Sequence, residues 1–92
     1  MVNRANEVAT FIKSKRNELK ISQKQLSDKI GLKTKDGQFL SNVERGLCQF
    51  PIKYIKQLSQ VLNVSEETIV ELMTNDYKKN MKRALNESET IN

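Results

Sequence analysis

SQKQLSDKIGL, residues 22–32, is a helix written together with both of its ends. Ser22 is followed three residues later by Gln25, a pairing in which each side chain can satisfy a backbone N–H left free at the start of a helix. Gly31 stands where a left-handed residue ends a helix at least cost, and Leu26 and Ile30 supply an apolar face between the two ends. The spacing predicts a short helix from Ser22 to Ile30. A turn holding Lys33, Thr34, Lys35, Asp36 and Gly37 leads into a second short amphipathic run, Gln38 to Arg45, closed by Gly46. At helical spacing Phe39, Leu40 and Val43 are its core contacts, and Gln38, Ser41, Asn42 and Arg45 fall largely on the other side.

Working outward, Val8, Ile12 and Leu19 with Ala5 and Phe11 recur near a 3.6-residue period, which predicts a first helix from about Asn3 to Leu19. Pro51 suits the first turn of a fourth helix, where a missing N–H costs nothing, and Ile52, Ile55, Leu58, Val61 and Leu62 follow at helical spacing as far as Asn63. Ser65 caps a fifth helix whose first turn holds Glu66 and Glu67, near the positive end of the helix dipole. Its stripe continues through Ile69, Met73, Tyr77, Met81 and Ala84 or Leu85 without a glycine or proline. The polar NESETIN that follows has nothing to bury and is expected to fray. The expected fold is therefore all-α, five helices and no strand, with a domain over residues 1–75 and a helical C-terminal extension with a frayed tail over 76–92.

Ninety-two residues at 37% hydrophobic content suit one small core rather than an elaborate catalytic cleft. The chain has no histidine and one cysteine, Cys48, so it lacks the commonest general base, an internal disulfide and the donors of an ordinary zinc site. No metal and no cofactor is expected, and a redox role for an isolated thiol is not favoured. With no long apolar run and no leader, the expected location is cytoplasmic, with no membrane partner. The net charge of +5 is uneven. Residues 1–64 carry twelve Lys/Arg against five acids, and residues 65–92 carry four against six. A basic body with a mildly acidic tail suits a polyanionic partner.

Two short helices joined by a turn that begins at a glycine, the second with a polar face, are the parts of a helix-turn-helix. SQKQLSDKIGL, then FLSNVERG, then a proline-led helix resembles the Cro/C1-type (XRE-like) DNA-binding family over roughly residues 5–73. Ser22 and Gln23 match its Ser-Gln helix opening, and Leu40, Ser41, Val43, Glu44 and Gly46 match its recognition-helix run. The resemblance implies a lambda-repressor-like fold, a structural ion pair between Arg16 and Glu44, and base-reading positions at Gln38 and Asn42. These two amides stand four apart on one face and are of the type that bonds adenine N6 and N7. Ser41 and Thr34 are candidates for further base or phosphate bonds. Gln23 resembles the family's phosphate-contacting glutamine, and Arg45 and Lys53 follow the helix where the family meets the opposite strand.

This chain departs from the family pattern in its turn, which carries an insertion of roughly Lys33-Thr34-Lys35. Both lysines are expected at phosphates. Asp36 is expected to cap the recognition helix, and Gly37, in its first turn, to leave room for a DNA backbone or base edge.

The expected function is sequence-specific binding of double-stranded DNA by a homodimer that reads a pseudo-palindrome, acting as a repressor or autoregulator with no small-molecule ligand. The expected dimer seam is Ile69, Met73, Tyr77 and Met81. The alternative is an antitoxin that binds a protein partner and DNA. An interaction module that has lost DNA reading is disfavoured by the intact Gln38 and Asn42, and an enzyme is the least expected class.

Overall fold

The structure, a computed structural model, describes residues 6–32 and 37–90, the last three as backbone only. Among them are five α-helices and no strand: α1 (Glu7–Glu18), α2 (Gln23–Ile30), α3 (Gln38–Glu44), α4 (Ile55–Leu62) and α5 (Glu66–Thr90). The cap of α2 forms as its residues dictate. Ser22 Oγ accepts from the Gln25 N–H at 3.0 Å, the Gln25 side chain accepts from the Ser22 N–H at 2.7 Å, and Gly31 ends the helix at φ +87°. Asn63 stops α4 in the left-handed region at φ +58°, and Ser65 Oγ accepts from the Thr68 N–H at the start of α5.

All five helices contribute to one core, with Ile12 of α1, Leu26 of α2, Leu40 of α3, Leu58 of α4 and Ile69 of α5 each fully buried. Among the described residues no helix is long and apolar enough to cross a membrane.

Several boundaries differ from expectation, each for a physical reason. Helix α1 ends at Glu18, because Lys20 enters the left-handed region at φ +58°, and Leu19 is left largely exposed. Pro51 precedes a 3₁₀ turn, Ile52–Tyr54, rather than opening α4. Ile52, expected among the apolar positions of α4, is 79% exposed in that turn, while Ile55, the first residue of α4, is buried.

The expected division at residue 75 falls inside α5. Asn6 makes no side-chain cap for α1; Asp76 does so from α5, its two carboxylate oxygens accepting from the N–H groups of Glu7 and Val8 at 2.8 and 3.1 Å. A carboxylate at this end of a helix satisfies free donors and opposes the positive dipole terminus. Beside it Lys79 donates to Glu7 at 2.6 Å. That hydrogen bond, with the attraction of the same carboxylate, holds the Lys79 ammonium above its ordinary value of 10.5. The stabilisation from this exposed pair is complete below the ordinary lysine value and is lost only as pH rises through the raised one. Contact between α5 and α1 thus reaches at least Lys79. The helix α5 runs to Thr90, into the segment expected to fray.

Candidate nucleic-acid interface

The second helix of the motif is placed by a buried charge. Glu44, in the last turn of α3, has a side chain only 3% exposed. Arg16 of α1 grips it with both prongs of the guanidinium, Nε to Oε2 at 2.8 Å and Nη2 to Oε1 at 3.0 Å, and donates a third bond from Nη1 to the Ile21 carbonyl. Two parallel N–H bonds on a carboxylate fix angle as well as distance, which an ammonium cannot do. Gln23, the first residue of α2, completes the cluster by donating from Nε2 to Glu44 Oε1 at 3.1 Å. One carboxylate therefore ties α1, α2 and α3 together.

That bond differs from the phosphate-contacting role expected of Gln23. Gln23 is half-buried and one N–H of its amide is committed to Glu44, so its phosphate-contacting role would fall to the second amide N–H or to its backbone N–H. A sequence separation of 21 residues leaves no local signal for such a pairing.

The start of α3 corrects the reading of Gly37. The residue is the N-cap itself, at φ +69°, with no side-chain cap. It is buried, and a Cβ built on it would lie 2.8 Å from the Lys24 nitrogen and 3.0 Å from the Gln23 carbonyl carbon. The free side of the glycine is thus filled by the backbone of α2, and Gly37 serves the close approach of two helices instead of room for a ligand. Lys33, Thr34, Lys35 and Asp36, with their expected phosphate and capping roles, lie outside the described residues.

On the outer side of α3, Gln38 is exposed and Asn42 half-exposed. Their amides meet, Gln38 Nε2 donating to Asn42 Oδ1 at 3.2 Å. Ser41 is half-buried between them along the helix, and Arg45, the exposed residue that caps the C-terminal end of α3, follows. Lys53, exposed in the 3₁₀ turn, holds its ammonium 5.3 Å from the centre of the Tyr54 ring, which limits its sweep. The structure thus joins Gln38 to Asn42, and Arg16 to Gln23 and Glu44, while Arg45 and Lys53 stand on separate segments after α3.

The expected seam divides. Ile69 is fully buried and Met73 packs half-buried against the core, so neither is free to meet a partner along its whole side chain. Tyr77, Met81 and Leu85 are 57%, 46% and 62% exposed, Tyr77 in the same turns whose Asp76 and Lys79 meet α1.

A family model described as helix-turn-helix matches residues 12–69, well over half of the chain. No curated protein and no solved structure matches.

Proposed function

The chain belongs to the helix-turn-helix family of Cro/C1 type and is a DNA-binding transcriptional regulator, and from that premise we propose that it binds duplex DNA sequence-specifically as a homodimer and acts as a repressor or autoregulator. The observation that carries this reading is the joined amide pair of Gln38 and Asn42 on the outer face of a helix whose other end is locked by Glu44. Side chains that read base edges must be held to within fractions of an ångström, and a helix fixed by a bidentate ion pair supplies that rigidity. Selection of binding sites from a random duplex library tests it. A pseudo-palindromic consensus, with one position per half-site that loses preference in Gln38→Ala, is the expected return. Enrichment without a consensus would mean that α3 touches only the backbone.

The basic body supports a large phosphate term, and Lys33, Lys35, Arg45 and Lys53 are its proposed sources. Lys35→Ala is expected to weaken operator and random DNA alike and to lower the log–log salt slope by about 1.8, about 0.9 from each subunit of the dimer. An unchanged slope removes the lengthened turn from the interface.

Dimerisation is proposed through the outer stripe of α5, now Tyr77, Met81 and Leu85. A second copy suits it because an isologous contact sets the same stripe on both sides, and a two-fold protein matches a two-fold operator. The last turns of α5 also gain little from the body, and a helix of that length is marginal without a partner. Met81→Glu is expected to weaken self-association by about tenfold or more, since it sets a carboxylate in an apolar seam. Sedimentation equilibrium measures it, and wild type that stays monomeric at all concentrations would return the stripe to the antitoxin alternative.

A further inference from the structure

We infer that Gln38 and Asn42 work as one coupled reader, and that their mutual bond makes Gln38 select adenine over guanine. The inference rests on the reading of α3 as the base-reading helix.

A primary amide carries two N–H donors and one carbonyl acceptor. A glutamine with all three groups free can face either purine in the major groove. It can offer both N–H groups to the N7 and O6 of guanine, or one N–H and its carbonyl to the N7 and N6 amino group of adenine. In this chain the choice is narrowed before DNA arrives. Gln38 Nε2 donates to Asn42 Oδ1, one helical turn away, and Asn42 is the more enclosed of the two. One donor of Gln38 is thereby consumed. What remains is a single N–H beside a single carbonyl oxygen, the complement of the adenine edge.

Guanine meets this arrangement badly. Either Gln38 Oε1 is brought against guanine O6, acceptor facing acceptor, or the amide turns to free its second N–H and gives up the bond to Asn42. In the first case an acceptor pair is desolvated without a proton between them, and in the second Asn42 Oδ1 loses its partner. Asn42 is therefore a specificity-determining residue for a base pair it need not touch. Its carbonyl acts by occupying one hydrogen of its neighbour.

The test uses the full chain and the selected operator. The base pair whose preference disappears in Gln38→Ala is located first, and operators carrying adenine or guanine there are then titrated with wild type, Asn42→Ala and Asn42→Asp. Wild type is expected to favour adenine by about tenfold or more, and Asn42→Ala to narrow that ratio to about threefold or less by freeing the second N–H. Asn42→Asp keeps an acceptor for Gln38 Nε2, so the adenine preference should survive in it although the added negative charge lowers affinity for every DNA. A wild-type preference for guanine at that pair overturns the inference, as does an adenine-to-guanine ratio unchanged by Asn42→Ala. Failure to recover any consensus would overturn the base-reading role of α3 itself, and the coupled reader with it, and is recognised by the wild-type selection alone.

Discussion

Glu44→Ala is expected to lower the unfolding free energy by about 3–5 kcal/mol, the range found when one partner of a buried ion pair is removed. The magnitude follows from what stays behind. Arg16 is only 12% exposed at its side chain, and without Glu44 it keeps a single bond to the Ile21 carbonyl while Gln23 Nε2 loses its acceptor. A loss of that size would remove a large part of the stability of a domain this small. Urea unfolding followed by circular dichroism measures it, and Arg16→Leu/Glu44→Leu serves as the companion. With both charges gone and apolar volume in their place, the double variant should lose less than Glu44→Ala alone. A loss below about 1 kcal/mol in Glu44→Ala would place the pair among solvated surface pairs. Operator affinity in the double variant should nevertheless fall, because α3 would no longer be tied to α1 and α2.

Gly37→Ala is expected to cost about 2–4 kcal/mol, more than a dihedral penalty alone can give. The left-handed backbone at φ +69° accounts for about 1–2 kcal/mol in any residue with a Cβ. The remainder comes from contact, because the new methyl would sit 2.8 Å from the Lys24 nitrogen, a backbone atom in the first turn of a capped helix. Relief requires α2 and α3 to separate at the turn. Gly31 provides the control. It is also left-handed, at φ +87°, but nothing lies within 4 Å of a Cβ built there. Gly31→Ala should therefore show the dihedral cost by itself, about 1–2 kcal/mol. Equal losses at the two positions would mean that the approach of α3 to α2 is soft.

The parts of the fold that were legible in the sequence share one property: their causes lie within four residues of one another. The Ser22–Gln25 capping box, the stop at Gly31, the stop at Asn63 and the cap at Ser65 are local hydrogen-bond or dihedral problems, and local residues solve them. The misread elements fail on phase or on extent. A 3₁₀ turn stands between Pro51 and α4, and Ile52, read as a core position of that helix, lies exposed in it. Along α5 the stripe from Ile69 to Leu85 is continuous in sequence, yet its early members are core and its later ones solvent-facing. Periodicity gives a face but not the point at which the body beneath that face ends.

The candidate interface divides in the same way. Gln38 and Asn42 could be named from spacing and resemblance because an i,i+4 pair on a helix is a local relation, and so is the bond that joins them. Gln23 at Glu44, Gly37 against Lys24 and Asp76 at the head of α1 bring together residues 21, 13 and 68–69 positions apart. Nothing in their neighbourhoods marks those partners. The sequence by itself determined that the chain is helical, where α2 starts and stops, where α4 stops, and which face of α3 is polar, since these follow from the chemistry of neighbouring residues. Only the tertiary structure decided why Gly37 must be a glycine, what holds α3 against α1 and α2, and where α5 meets α1, because each depends on a contact that exists only after the helices have packed.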